Sequence, residues 1–356
     1  MTSSSRPPGT FSLSCPVPTS RYDHVLLGHG SGGRLSAELL ADVFLPAFAN
    51  PTLAALEDQA TLNLAGADRI ALTTDSFVVH PIFFPGGDIG RLAVHGTVND
   101  LAVGGARPLS LAAAFILEEG FEIDSLRRIV ASMRAACDEA EVQIVAGDTK
   151  VVQRGKGDSI FITTTGIGLL PHGLPLSIAS ARHGDRVLVS GPIGDHGLAI
   201  LSVREGLTFD TALESDCAPL TGLVRAMMRA SSGIRCMRDP TRGGVASALN
   251  EIAQASGVGI ELSEEAVPVR EEVRGACELL GLDPLYAACE GRLVAVVAEA
   301  DKTKVLAAMR GHPLGRHAGD IGAVVPAHPK VVTVRSGVGG LRTLAMLAGE
   351  ALPRIC

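Results

Sequence analysis

The sequence has no tryptophan, no CxxC pair, no block of lysine or arginine and no apolar run long enough to cross a bilayer. Each absence excludes something. Without a basic stripe, and with a formal net charge of -7, nucleic acid is not an expected partner. Apolar runs such as Leu109–Leu117 are too short to span a membrane and are followed by charge. The N-terminal stretch lacks an apolar core of signal-peptide length, so residues 1–22 read as a disordered leader and the expected location is cytoplasmic. Seven cysteines (Cys15, Cys137, Cys217, Cys236, Cys277, Cys289 and Cys356) are scattered and odd in number. That argues against a disulfide framework or a structural zinc site.

What is present fits a glycine-rich enzyme of α/β or α+β class. The 356 residues suffice for two ordinary domains, and 46% hydrophobic with 19% charged residues argues against general disorder. The spacing predicts strands over Arg69–Thr74, Leu109–Leu117, Val142–Ala146 and Ile160–Ile167. It predicts helices over Asp88–Ala102 and Asp124–Ala140, the second opened by an Asp cap. A proline–glycine stretch at Leu170–Pro175 suggests a boundary between domains at 23–170 and 171–335. The second half reads as strands near Arg186–Ser190, Leu293–Val297, Gly322–Val325 and Val331–Val334. Helices are expected near Leu198–Glu205, Leu220–Ala230, Gly243–Ala255 and Lys302–Met309. Ser336–Gly340 (SGVGG) reads as a flexible hinge, leaving residues 336–356 as a mobile tail.

Acidic motifs carry most of the chemical signal. Asp58 (LEDQA), Asp75 (LTTDSF), Asn99–Asp100 (GTVND), Asp148 (AGDTK) and Asp239 (RDPTRGG) stand at or near the ends of predicted elements. Singly, each is more readily a cap or turn residue. As a set without histidine or cysteine, the carboxylates suit Mg²⁺, a hard cation that prefers oxygen. Gly30, Gly32 and Gly33 in HGSGG offer backbone N–H groups ahead of a helix, a possible anion cradle. The loop is neither a Walker A motif nor a dinucleotide fingerprint. Lys150, just after Thr149, could hold phosphate or act as a base, and Glu290 in ACEGRL is a second candidate. In isolation each is more ordinarily a surface ion pair. The chain stops at LPRIC, so Cys356 is the last residue of an apolar tail that needs somewhere to dock. Nearby Arg354 is expected to favour its thiolate.

Together these motifs resemble the HypE family of carbamoyl dehydratases, hydrogenase maturation factors. The similarity runs from HGSGG through LTTDSFVV, GTVNDLAVGGA, AGDTKVV, DPTRGG, NEIA and CEGRL to the terminal PRIC, the most specific of them. The acidic motifs are shared with the wider ATP-using superfamily of aminoimidazole ribotide synthetase, thiamine-monophosphate kinase and selenophosphate synthetase. One departure is DQA at Asp58–Ala60, where the family more often has DAA. The resemblance implies a two-domain aminoimidazole ribotide synthetase-like fold whose N-terminal domain forms a dimeric β-barrel, with ATP bound between domains. It implies carbamoylation of Cys356 by the HypF carbamoyltransferase and ATP-dependent dehydration of the thiocarboxamide to a thiocyanate. Cyanide then passes to iron on the HypC–HypD complex. Lys150 and Glu290 match the positions suited to removing the nitrogen protons. A small-molecule kinase of the same superfamily would explain the acidic motifs but not the tail. A non-catalytic cyanide or iron carrier would explain the tail but not the motifs.

Overall fold

A computed structural model describes residues 24–64, 69–171, 173, 176–206, 213–347, 349 and 354–356. The expected leader lies outside the described residues.

The first half builds a five-stranded sheet from β1 (Ala60–Asn63), β2 (Arg69–Phe77), β3 (Arg107–Glu118), β4 (Gln143–Val152) and β5 (Ile160–Leu170). Their order across the sheet is β1-β2-β5-β3-β4, and only the β3–β4 pair is parallel. A crossover helix joins that pair, as parallel neighbours require. The alternation along β5 is clean: Ile160, Ile162, Thr164 and Gly166 are buried, whereas Phe161, Thr163, Thr165 and Ile167 face outward. One face of the sheet is therefore covered by helices and the other is open.

The buried face rests on α2 (Ile89–Val103), which follows the short α1 (Arg34–Leu39), and on the crossover helix α3 (Ile123–Glu139). Asp88 caps α2, its carboxylate accepting from the N–H groups of Gly90 and Arg91 at 2.7 and 3.1 Å. Thirteen of the fifteen residues of α2 are buried, because the helix is enclosed by the first sheet, α3 and the second half of the chain. Gly90 permits the α2–α3 approach: a Cβ there would lie 2.6 Å from the carbonyl oxygen of Ile129. α3 opens differently from the expectation. Glu122 holds the cap position without a side-chain cap bond, and Asp124 lies inside the first turn, paired with Arg127 at 2.7 Å. β4 runs six residues beyond its expected end, carrying Asp148–Lys150 into the sheet as its exposed edge.

The second half forms a seven-stranded sheet. Its strands are β6 (Arg186–Val189), β7 (Ile234–Arg238), β8 (Gly259–Ser263), β9 (Val294–Val297), β10 (Gly319–Val325), β11 (Val332–Arg335) and β12 (Leu341–Thr343). The order is β12-β11-β8-β10-β6-β9-β7. Val294–Val297 are buried on both faces, as a central strand demands. Helices α4 (Asp195–Arg204), α5 (Thr221–Ala230), α6 (Gly244–Ser256), α7 (Glu271–Leu280) and α8 (Lys302–Arg310) complete this half.

The SGVGG segment is not an open hinge. Ser336 N–H donates to the Gly340 carbonyl at 2.8 Å and Gly339 N–H to the Ser336 carbonyl at 2.9 Å, closing a hairpin between β11 and β12. Gly339 supplies the positive φ (+86°) that the turn needs. Beyond β12, Leu344 is wholly buried in the second core. Leu352 and Pro353 lie outside the described residues.

Candidate active site

Three sequence-distant carboxylates meet where the two halves of the chain face each other. Asp58 precedes β1, Asp100 lies in the last turn of α2, and Asp239 follows β7. Their oxygens approach within 4.8 Å of one another. Thr73 fixes the arrangement, its hydroxyl contacting Asp100 Oδ2 at 2.7 Å and the Asp58 carbonyl at 2.9 Å. Asp75, two residues along the same face of β2, joins them through a hydrogen bond with Asp100. Arg238 pairs with Asp58 and, at 3.0 Å, with Glu251.

Burial and crowding together raise the proton affinity of these carboxyl groups. Burial, followed by the charges of Asp75 and Asp239, raises the pKa of Asp100 well above the carboxylate range. Burial, with a further push from Asp75, lifts Asp239 to about 7. Burial also raises Asp75. Oxygen-only donors at this spacing fit Mg²⁺, which would compete with protons for them.

Glu290 enters the same cleft from the segment before β9. It is 2% exposed, and Oε1 has no hydrogen-bond partner. Its backbone is fastened on both sides: its N–H donates to Asp216 Oδ1 and its carbonyl accepts from Asn99 Nδ2. Burial, then the charges of Asp239, Asp216 and Asp75, raises its pKa well above the usual value. Asn99 is joined to the same segment. Its side-chain amide donates to the Ala218 and Glu290 carbonyls and accepts from the Leu220 N–H, which holds the Glu290 backbone in place.

The C-terminus closes the cleft. Cys356 lines it together with Asp75, Asp239, Arg242 and Glu290. Arg242 senses Cys356: its pKa is raised chiefly by the charge at Cys356 and then by Asp75. Arg354, expected to favour the thiolate, pairs with Asp158 and donates to the Val78 carbonyl. Arg242 is the residue that sequence reasoning passed over. Its only signal was a cation inside the glycine-rich turn of DPTRGG.

Gly30, Ser31 and Gly33 line an adjoining groove with Arg242, Tyr286 and Cys356. Much of the HGSGG loop is committed within the protein. Gly32 N–H donates to Ser36 Oγ, the Gly30 carbonyl accepts from Arg242, and the Arg34 N–H following the loop donates to the Leu347 carbonyl of the tail. In this arrangement the loop is a wall for the tail more than an anion cradle.

Asp148, Thr149 and Lys150 are not part of this gathering. Asp75 lies opposite Thr164, Thr164 opposite Ala113, and Ala113 opposite Gly147, the neighbour of Asp148. Three strand spacings, roughly 14 Å, therefore separate Asp148 from Asp75. On the exposed edge, Lys150 Nζ lies 2.6 Å from Asp148 Oδ2, and that hydrogen bond lowers the Asp148 pKa. Thr149 N–H donates to the other oxygen of Asp148.

Comparison with known proteins agrees with this geometry. Residues 56–170 match the AIR synthase related protein, N-terminal domain, and residues 182–335 match the corresponding C-terminal domain. Carbamoyl dehydratase HypE of Cupriavidus necator is 54% identical over 349 residues, covering 98% of this chain and 99% of the relative. The chain belongs to the HypE family. A HypE–HypF complex is similar in structure at 51% identity with a TM-score of 0.82, covering 87% of this chain and 99% of that one. A HypE solved in complex with ATP is similar at 51% identity with a TM-score of 0.79, covering 94% and 100%. The two-domain AIR synthase-like fold expected of the HypE family is thus present. Among the described residues, no helix is long and apolar enough to cross a membrane.

Proposed function

We propose that this chain carries a carbamoyl group on its own Cys356 sulfur and dehydrates it with ATP, supplying cyanide ligands for the iron of NiFe hydrogenase. The carrying observation is the placement of Cys356, the last residue, in one cleft with Glu290, Arg242 and the acidic cluster. The thiocarboxamide S–CO–NH₂ loses both nitrogen protons and its oxygen, while ATP becomes ADP and phosphate. The product is the thiocyanate S–C≡N, with one proton released overall. An amide oxygen leaves poorly, and phosphoryl transfer to it makes a good leaving group. Glu290, buried and with raised proton affinity, suits the removal of a nitrogen proton in a site from which water is excluded. Asn99 and Asp216 hold its backbone in place.

Mg²⁺ held by Asp58, Asp100 and Asp239, with Asp75 adjoining, would neutralise charge on the triphosphate. Gly30, Gly32 and Gly33 form a wall of the nucleotide cleft in this reading. Asp148, Thr149 and Lys150 are assigned to the site of a second copy. An edge strand exposed along most of its length, with Val145 and Val151 65% and 67% exposed, calls for a covering partner. A homodimer closing the two open sheet faces into a β-barrel provides one. The domains in this reading are 23–170 and 171–335, with the tail at 336–356, and HypF and the HypC–HypD complex are the expected carbamoyl donor and cyanide acceptor.

Mass spectrometry of the C-terminal peptide tests the proposal. Incubation with the carbamoyl donor system should add a carbamoyl mass to Cys356, and MgATP should then remove one water mass. A persistent carbamoyl adduct in protein that binds and consumes ATP would refute it.

A further inference from the structure

The docked end of the chain is held largely through its backbone. Val78 N–H donates to the Cys356 carbonyl at 3.2 Å and His80 N–H to the Arg354 carbonyl at 3.1 Å, so residues 354–356 run alongside the segment just past β2. Such bonds do not depend on side-chain identity. A strand held by them alone could slip by two residues and keep the same pattern, which would carry Cys356 about 7 Å from its place. Something must define the register.

Two contacts do. The Ile355 side chain is buried in the first core. On the other side of the backbone, His196 Nε2 lies 2.6 Å from the Ile355 carbonyl oxygen. His196 is in the first turn of α4, fully buried, with the ring of Phe84 edge-on at 5.5 Å between centroids. A carbonyl oxygen only accepts, so Nε2 bears the proton. Nδ1 lies 2.7 Å from Ser215 Oγ, which already accepts the Cys217 N–H at 3.1 Å. The Ser215 hydroxyl proton is then directed to Nδ1. Burial favours the neutral ring, consistent with that tautomer. The backbone of Ser215 is itself fastened, its N–H donating to the Pro85 carbonyl at 2.9 Å.

We propose that His196, oriented by Ser215, is a positioning residue that helps fix the register of the docked C-terminus and so sets the Cys356 sulfur in the cleft. The inference rests on the dehydratase reading for its purpose, but the latch itself is independent of that chemistry. His196 contacts the tail backbone, one residue from the reacting sulfur, and acts on the reaction only through it. When the tail leaves, the Nε2–H loses its acceptor inside the protein, so the docked state is favoured by one buried hydrogen bond as well as by Ile355.

The test is peptide-resolved thiol labelling of Cys356 in the full chain, with near-ultraviolet circular dichroism confirming the fold of each variant. His196→Leu keeps bulk but removes the donor, whereas His196→Gln retains an N–H near the Nε2 position. Losing one buried hydrogen bond should make Cys356 label about tenfold faster in His196→Leu, and the glutamine variant should return to within about threefold of wild type. Ser215→Ala, a smaller change, should raise labelling in the same direction. Single-turnover dehydration of a carbamoylated tail should slow in His196→Leu and recover in His196→Gln, with the KM for ATP unchanged. Wild-type labelling rates in both His196→Leu and Ser215→Ala would overturn the latch. Labelling decides the matter even if wild-type protein dehydrates no thiocarboxamide, a result that would instead overturn the proposed function.

Discussion

If Asp148 and Lys150 serve the partner's cleft, two inactive variants should rescue each other. The separation of roughly 14 Å between Asp148 and Asp75 follows from three strand spacings. A Mg²⁺ ion sits only about 2 Å from each ligating oxygen, so one ion cannot join Asp148 to the cluster of its own chain. Consider one subunit carrying Glu290→Gln and another carrying Lys150→Ala. In the mixed dimer, one site loses both residues and the other keeps both, provided that Lys150 crosses between subunits. Random association makes about half of the dimers mixed, each with one working site, so activity should return to about a quarter of wild type. A mixed dimer purified through two different tags should reach about half. The assay is thiocyanate formation on Cys356 per active protomer, with sedimentation velocity confirming the dimer. An inactive mixed dimer would place Lys150 and Glu290 in the same chain's site, and a monomer in solution would remove the basis for the prediction.

MgATP affinity should weaken as pH falls below about 7, by up to tenfold per pH unit for each proton displaced, because Asp239 is raised to about 7 and burial raises Asp100 as well. Calorimetry giving a flat profile between pH 5.5 and 7.5 (roughly the window set by those groups) would contradict the cation assignment. Asp195, buried among Arg270, Arg292 and Asp216, has its pKa raised from 3.8 to about 7, mainly by burial. The folded state thus binds more protons than the unfolded state between those values, so this carboxyl lowers stability as pH rises from 4 to 7, by up to ~4 kcal/mol. Asp195→Asn should flatten that part of a urea-denaturation series, and an unchanged slope would count against it. Cys356→Ala should bind ATP normally and yield no thiocyanate, whereas normal cyanide transfer by that variant would exclude Cys356 as the carrier.

Element type was legible wherever burial and period agreed. The alternation of β5 and the small residues of α2 follow from local pattern, whereas the cap expected of Asp124 on α3 is absent and Asp88, read as the first residue of α2, is the residue that caps. Two features were illegible for physical reasons. β4 continues through Gly147, Asp148 and Lys150 because β3 pairs with it in register as far as Glu118–Val152. Nothing local to those polar residues announces a strand, since ladder hydrogen bonds do not depend on side-chain polarity. SGVGG looked mobile because three glycines permit many conformations. Pairing of Thr333 with Thr343 selects one of them, and the same backbone freedom then serves a tight turn.

The candidate site divides along a similar line. Composition suggested a cluster of carboxylates, but spacing along the chain could not say which would meet. Asp58, Asp100 and Asp239 converge through a pre-strand segment, a helix end and a strand end from opposite halves of the chain, whereas Asp148 has an equally suggestive motif and lies at a distant edge. The role of Asn99 was hidden because hydrogen bonds to Ala218, Leu220 and Glu290 span more than a hundred residues. Arg242 was hidden for the converse reason: its importance comes from the anions that surround it, none of them its neighbour in sequence except Asp239. Burial raises Asp75, Asp100, Asp239 and Glu290, and neighbouring carboxylates add to the rise at Asp100, Asp239 and Glu290, although Arg242 and Arg238 both stand beside them. A cation there would remove the repulsion that Asp75 and Asp239 exert on Glu290 and make its proton easier to release. In that arrangement the metal site and the base are coupled through space, and filling one prepares the other.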